Sequence, residues 1–262
     1  HPPGHRNIGE AMTASRHLLL AHARAYHAVK DAASHGPQVG PVLNLSYVQP
    51  ANPDDPADVR AAQGVDGFLH EFYLRSISAG VIARPVARPD EEPAPEVRDT
   101  WDFIGLNYYS RSLIKAGKQG LPFGSVPEGA ETSLMGWEVY PDGIYHCLMR
   151  LQAYGKPIYV TENGTSVRDD LDRRRYILRH LARVHRAIRE GADVRGYLHW
   201  SFCDNFEWAE GWYQKFGLWE HEPGTLNRIP RPSAEMFRDI ARANAVTPAI
   251  VERYAPGLDP EA

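Results

Sequence analysis

The chain has 262 residues and a formal net charge of −4, with 43% hydrophobic and 24% charged residues. This length and composition suit a globular protein with a sizeable core and exclude a largely disordered chain. The weak negative charge and scattered arginines argue against a nucleic-acid or membrane-surface partner, and no apolar run reaches the roughly 20 residues of a membrane helix. Two cysteines, Cys147 and Cys203, are too few for a disulfide framework or a cysteine metal site and fit a reduced, cytoplasmic compartment.

The first half of the chain predicts a helix, a strand and a second helix. Apolar residues at helical spacing predict an amphipathic helix over residues 8–32. The apolar, β-branched run at 39–50 ends at a proline and predicts a buried strand, centred on 40–46. A helix-start signal, NPDDPAD, precedes a second helix at 56–78, and the proline-rich segment at 83–97 predicts a surface loop.

The second half predicts three more strands, each followed by a connection and a helix. The strands are expected near 102–107, 157–161 and 195–201. A glycine-rich connection leads from the first of them to a helix that Pro141 opens and Gly155 closes. Further helices are expected at 172–191 and 233–245, the latter after a long aromatic loop.

The alternation of apolar strands with amphipathic helices predicts an α/β fold with a parallel sheet and helices on its outer face. Three of the strands end in polar or aromatic residues, at 107–109, 162–163 and 200–205. Such strand ends indicate a site at the C-terminal edge of the sheet, as in (β/α)8 barrels. A doubly wound open sheet is the competing architecture, and the absence of a glycine-rich turn after any strand disfavours its nucleotide-binding version.

The sharpest chemical motif is Thr161–Glu162–Asn163–Gly164, which ends an apolar strand. A carboxylate at this position lies at the mouth of a parallel sheet, where it can be held ionised and aimed at a substrate. The plain structural interpretation, that Glu162 is a helix N-cap or a solvated loop acid, stays open from the local sequence.

The segment at 200–220, WSFCDNFEWAEGWYQKFGLWE, interleaves aromatic rings with acidic and amide groups. Sugars present hydroxyls and C–H faces, so a polyhydroxylated ligand needs this mixture. The chain as a whole is rich in rings, with 6 Trp, 13 Tyr and 8 Phe. A buried aromatic loop with satisfied polar groups is the alternative.

Several long segments, in order, resemble glycoside hydrolase family 1, the β-glucosidase family. They are RHLLLAHARAYHAVK, VLNLSYVQPANPDDPADVRAA, DFIGLNYYS, GWEVYPDGIY, YVTENG and the aromatic segment at 200–220. The resemblance implies a (β/α)8 barrel and hydrolysis of β-glycosidic bonds by a retaining double displacement. It implies Glu162 as nucleophile and Tyr109 as its hydrogen-bond partner. The residues that it implies for glycone binding are Asn107, Trp200, Glu207, Trp208 and Phe216. It implies no metal and no cofactor.

The sequence departs from the family in one respect: it contains no Asn-Glu-Pro motif, which carries the acid/base glutamate in family members. The four expected strands correspond to the fifth through eighth of the barrel, so residues 1–262 are expected to form a single incomplete barrel domain. The chain begins at His1 as though cut from something longer. Candidate replacement acids are Glu210, Glu138, Asp102 and Asp142, with nothing in the sequence to single one out.

Two interpretations of function follow. In the first, the chain is a β-glycosidase acting on a β-linked glucoside or similar small saccharide, completed by self-association or by a complementary N-terminal half. In the second, it is a catalytically impaired sugar-binding pseudoenzyme or fragment, because the acid/base motif is absent. The intact nucleophile motif favours the first interpretation.

Overall fold

The computed structural model describes residues 4–5, 7–84, 91–117, 123–225 and 227–261. Its α-helices are α1 (Ile8–Ala32), α2 (Pro56–Asp66), α3 (Phe72–Ala79), α4 (Pro141–Gln152), α5 (Asp170–Arg189), α6 (Pro232–Ala243) and α7 (Pro248–Tyr254). A π-helical turn, Gly67–Glu71, joins α2 to α3. None of the helices within these ranges is both long enough and apolar enough to cross a membrane.

The strands are β1 (Val42–Asn44), β2 (Tyr47–Pro50), β3 (Val81–Ile82), β4 (Glu92–Pro93), β5 (Ile104–Asn107), β6 (Arg111–Lys115), β7 (Phe123–Ser125), β8 (Ile158–Asn163), β9 (Val194–His199), β10 (Trp219–His221) and β11 (Arg228–Pro230). The main sheet has the order β1-β5-β8-β9, and every pair in it is parallel. The predicted set of four parallel strands is therefore confirmed. Their spatial order follows the chain order, as in a barrel, whereas a doubly wound sheet reverses direction.

Local sequence explains where the helices begin and end. Asn7 caps α1 by accepting hydrogen bonds from two backbone N–H groups of the first turn, and Asp55 and Asp169 cap α2 and α5 by accepting one each. Helices α2, α4, α6 and α7 have proline in the first turn, where no N–H is needed. Gly80 ends α3 with a left-handed φ of 69°.

The helices cover one face of the main sheet. The side chains of Ile104, Leu106, Ile158 and Val160 are fully buried in one cluster with residues of α1, α3 and α4. A second cluster joins α5 to α6 and α7. Together these clusters form the outer layer of the fold and hold the strands in place.

The opposite face of the sheet is open at its two ends. Val42 on β1 is 53% exposed and Leu198 on β9 is 54% exposed. Parallel sheets are normally covered on both faces, and their outermost strands carry unpaired hydrogen-bonding groups. The inner face of this sheet therefore differs sharply from the helix-covered outer face.

Some predicted boundaries were wrong. The stretch at 39–50 is two strands: the chain leaves the main sheet after Asn44, and β2 pairs instead with β6 in a small second sheet. The glycine-rich connection before Tyr140 contains β6 and β7, although residues 118–122 lie outside the described ranges. The predicted loop at 83–97 falls partly on residues 85–90, also outside them, and its remainder contains β4. Helix α7 was not predicted.

Candidate active site

Strand β8 carries a β-bulge at its C-terminal end. Between Val160 and Asn163 it has one residue more than either neighbouring strand. In a regular strand, side chains alternate between faces, so Glu162 would follow Val160 onto the helix-covered face. The bulge resets this alternation: Val160 and Asn163 are both fully buried, while Thr161 and Glu162 between them are half-buried. Glu162 is thereby turned to the open face of the sheet.

Glu162 is hydrogen-bonded to Tyr109. The Tyr109 hydroxyl donates to Glu162 Oε2 at 2.5 Å, and the backbone N–H of Tyr108 donates to the carbonyl of Glu162 at 2.9 Å. Burial and the hydrogen bond to Glu162 raise the pKa of Tyr109, so the phenol stays protonated and remains a donor. Since Asp169 caps the following helix, Glu162 is not a helix N-cap.

The ends of β5, β8 and β9 converge around this pair. Asn107, at the end of β5, accepts a hydrogen bond from the Thr161 hydroxyl at 2.7 Å. Trp200 follows β9, and its backbone N–H donates to the carbonyl of Asn163 at 3.0 Å. The approach is so close that a Cβ on Gly164 would lie 1.8 Å from the Trp200 carbonyl oxygen. Glycine is therefore the residue that this junction accepts.

The loop after Trp200 is braced by its own polar side chains. Asp204 is buried, and it accepts hydrogen bonds from the Gly217 N–H and from both terminal nitrogens of Arg231. Burial works to raise the pKa of Asp204, but the Arg231 guanidinium outweighs it and the pKa is lowered. Asn205 donates to Glu207 Oε2 at 2.9 Å. Asp204 and Asn205 therefore brace the loop through their own side chains.

The predicted glycone-binding side chains lie at different depths. Glu207 is half-buried and close enough to Tyr109 for its charge to contribute to the raised pKa of that phenol. Trp208 is 75% exposed and has a left-handed φ of 47°. Phe216 is buried behind Tyr109, with the two ring centroids 6.3 Å apart. The Glu162–Tyr109 pair is therefore backed by the buried ring of Phe216, while the ring of Trp208 is exposed to solvent.

Three of the four candidate replacement acids are engaged elsewhere. Glu138 is buried and accepts two hydrogen bonds from Arg111, at 2.6 and 2.8 Å. Asp102 precedes β5, at the opposite end of the strand from the site, and pairs with Lys30 at 2.5 Å. Asp142 lies in the first turn of α4 and accepts a hydrogen bond from the Arg183 guanidinium.

The fourth candidate, Glu210, is exposed and lies in a short 3-10 turn beside Trp208. Its contact with Gln214 Nε2 is long, at 3.4 Å. Glu210 is thus less constrained than the other three candidates, and no contact directs it toward Glu162.

The structure also places residues at the site that sequence reasoning missed. The ring of Trp137 lies 5.4 Å from that of Tyr109 and 6.3 Å from that of Phe216, completing the aromatic wall. Tyr176 and Tyr197 bind the buried side chain of Asn163 from behind. Trp137 could have been identified from the sequence through its place in the family-like segment GWEVYPDGIY. Its spacing along the chain, however, did not indicate contact with Tyr109.

This architecture defines a parallel β/α protein whose carboxylate and aromatic groups gather at the C-terminal ends of its strands, as in barrel enzymes. The sequence profile of glycosyl hydrolase family 1 matches residues 1–246. The chain belongs to glycosyl hydrolase family 1.

Solved and curated relatives agree. A β-glycosidase from Pyrococcus horikoshii superposes with a TM-score of 0.87 at 36% identity, covering 99% of this chain and 59% of that one. A β-glucosidase from Thermotoga maritima in complex with glucoimidazole gives 0.86 at 31% identity, covering 94% and 60%. A β-galactosidase from Pyrococcus woesei is 35% identical over 98% of this chain and 56% of its own length. The predicted fold, an incomplete (β/α)8 barrel, is confirmed, and the chain spans between half and three fifths of these relatives.

Proposed function

We propose that this chain carries the nucleophile half of a retaining β-glycosidase site. The observation that carries the proposal is the 2.5 Å hydrogen bond from the Tyr109 hydroxyl to Glu162 Oε2, at the open ends of the strands. A carboxylate held by a neutral phenol donor is oriented without being neutralised, as a nucleophile for an anomeric carbon requires. In a double displacement, Glu162 attacks that carbon and forms a covalent glycosyl-enzyme, which water then hydrolyses.

The remaining site residues are proposed to bind the glycone. Glu207 and Asn107 offer hydrogen-bonding groups for sugar hydroxyls, and Trp208 offers its indole N–H. Trp200 is proposed as the stacking platform, and Phe216 as the apolar backing of the pocket. The names of the relatives, β-glucosidase and β-galactosidase, support a β-linked glucoside or a similar small saccharide as substrate.

The second carboxyl of the reaction is proposed to come from a complementary N-terminal half. A retaining glycosidase needs two carboxyls about 5–5.5 Å apart, and the candidate acids of this chain are paired elsewhere or lack a contact toward Glu162. The relatives are longer than this chain, which supports a further segment. A cavity of about 790 Å³ along the free side of β1, lined in part by Val42, Tyr109 and Trp137, gives that segment a place to pack.

In this proposal, residues 1–262 act as one incomplete barrel domain, and self-association is the competing way to cover the open face. Sedimentation equilibrium over a wide concentration range separates the two, since only self-association raises the mass of the chain by itself. Cytoplasmic location stays part of the proposal. Its support is that Cys147 and Cys203 are both free thiols.

The test is covalent labelling of the full chain. A 2-deoxy-2-fluoro-β-glucoside with an acidic phenol as leaving group needs no general acid for its departure, so Glu162 should react with it even without the partner carboxyl. Peptide mapping should find the sugar on Glu162, and Glu162→Gln should abolish labelling. Unactivated alkyl glycosides should be hydrolysed far more slowly than activated aryl glycosides. Azide, which needs no general base, should speed turnover of the glycosyl-enzyme.

Two results would contradict the proposal. A sugar mapped to another residue would remove Glu162 as nucleophile. A chain that binds sugar by calorimetry and is never labelled would be the sugar-binding pseudoenzyme.

A further inference from the structure

The side chain next to the proposed nucleophile is fully committed to hydrogen bonds on the outer side of the sheet. Asn163 has no exposed surface. Its Nδ2 donates to the carbonyl of Tyr108 at 2.7 Å and to the hydroxyl of Tyr176 at 2.9 Å. Its Oδ1 accepts from the hydroxyl of Tyr197 at 2.7 Å. The first two of these bonds are buried and the third is partly buried, and each partner comes from a different part of the fold.

Those partners connect the strand of the nucleophile to its surroundings. Tyr108 follows β5, Tyr176 lies on α5 and Tyr197 lies on β9. The hydroxyl of Tyr176 accepts from Asn163 and donates to the carbonyl of Tyr109, at 3.3 Å. The same phenol thus contacts both the residue after Glu162 and the residue whose side chain is hydrogen-bonded to Glu162.

The hydrogen bonds of Asn163 are important because β8 contains a bulge at this point. A regular ladder fixes the direction of each side chain, but a bulge leaves one residue outside the ladder and so weakens that control. In β8, Glu162 lies within the bulge, where the ladder controls side-chain direction least. Asn163 closes the bulge, and its hydrogen bonds fix the backbone from the outer side.

The anchoring phenols are themselves held rigidly. Tyr176 is 2% exposed and its ring stacks on that of His180, with centroids 3.8 Å apart. The ring of Tyr197 packs against Phe237 of α6. Burial raises the pKa of both phenols, so each stays a neutral hydroxyl.

We infer that Tyr176 and Tyr197 are positioning residues for the Glu162–Tyr109 pair, acting through Asn163 from the outer side of the sheet. This inference rests on the proposed function, since it assigns them to the orientation of its nucleophile. Both hydroxyls contact Asn163 on the outer side of the sheet, whereas Glu162 faces the open side. Their removal should therefore slow the attack by Glu162 and leave sugar binding unchanged.

The experiment uses the full chain and the fluorinated aryl glucoside described above. In Tyr176→Phe and Tyr197→Phe, the labelling rate constant at saturation should fall about tenfold, the size expected for one buried hydrogen bond. The half-saturating concentration should change less than about twofold. Because both act through Asn163, the double variant should lose less than the product of the two single losses.

Tyr254→Phe is the matched control. Tyr254 is also buried, and its hydroxyl donates to Asp239 at 2.6 Å, but it lies on α7 away from the site. Its removal should lower stability much as the other two do and leave the labelling rate unchanged. If Tyr254→Phe slowed labelling equally, the effect would be one of general stability and the inference would be wrong.

A second readout does not depend on turnover. The carbon-13 signal of the Glu162 carboxyl, assigned by its loss in Glu162→Gln, reports the hydrogen bond from Tyr109. It should shift in Tyr176→Phe and Tyr197→Phe but not in Tyr254→Phe. If the fluorinated glucoside failed to label the parent chain, the proposed function would be wrong. The carbon-13 signal of Glu162 would then be the test of the positioning role. Parent-like signals, or parent-like labelling rates, in both tyrosine variants would overturn the inference.

Discussion

Gly164 offers the most direct test of how closely the strand ends must approach. In Gly164→Ala, the new Cβ would lie 1.8 Å from the carbonyl oxygen of Trp200 and 2.9 Å from its carbonyl carbon. Ordinary contact begins at about 3.4 Å, so the two backbone segments must separate by about 1.6 Å. Neither contact can be relieved by a side-chain rotation, because both atoms belong to the backbone.

The separation has a calculable cost. Overpacking of this kind costs about 1–3 kcal/mol. The hydrogen bond from the Trp200 N–H to the Asn163 carbonyl, 3.0 Å long, would also be strained or lost, at about 1 kcal/mol. We therefore expect Gly164→Ala to lower the free energy of unfolding by about 2–4 kcal/mol. Since Asn163 adjoins Glu162, labelling of the nucleophile should slow as well.

Urea denaturation followed by circular dichroism measures the effect. Gly64→Ala is the control: its Cβ would meet nothing within 4 Å, and it lies inside α2, where alanine is favoured over glycine by about 0.5–1 kcal/mol. The two substitutions add the same methyl group and should shift the denaturation midpoint in opposite directions. A Gly164→Ala chain as stable as the parent would refute the close packing of these strand ends.

Three further predictions concern single side chains. Tyr109→Phe removes the 2.5 Å hydrogen bond to Glu162 and should slow labelling at least tenfold with little change in half-saturation; an unchanged rate would contradict it. Glu138→Gln removes the buried negative charge that pairs with Arg111 and should cost about 3 kcal/mol in urea denaturation while labelling persists. Burial lowers the pKa of His180 to about 3 from an ordinary 6.5. Between pH 3 and pH 6.5 the unfolded chain therefore takes up a proton at this residue and the folded chain does not. The free energy of unfolding should fall as the pH is lowered from 6.5 toward 3, and it should fall less steeply in His180→Phe than in the parent chain. Equal slopes in the two chains would refute this.

The sequence predicted the repeating elements well because their signals are local. Helix α1 was expected at 8–32 and observed as Ile8–Ala32, since its N-cap and apolar spacing both lie within the segment. The parallel order of β1, β5, β8 and β9 followed from alternation with helices. In the second sheet, β6 went unseen because it pairs with the distant β2, and β7 went unseen because it pairs with β6 and so depends on the same placement.

The candidate site was only partly predictable, for a similar reason. The motif around Glu162 and the resemblance to a family named the groups that carry the chemistry. The alternation V-T-E-N gives no sign of the bulge that decides which face Glu162 occupies, because register is fixed by neighbouring strands. The contact of Tyr176 with Asn163 joins residues of β8 and α5 whose spacing carries no signal.

The bulge in β8 also bears on how copies of this gene should be aligned. Thr161 and Glu162 lie between the buried Val160 and Asn163, one residue more than either neighbouring strand has there. A copy that lost the Thr161 codon would have a regular pleat, with its glutamate still on the face opposite Val160. It would lose the hydroxyl that donates to Asn107 and keep the direction of the carboxylate. A one-residue gap in this strand should accordingly be placed at the threonine before a copy is judged to lack the glutamate.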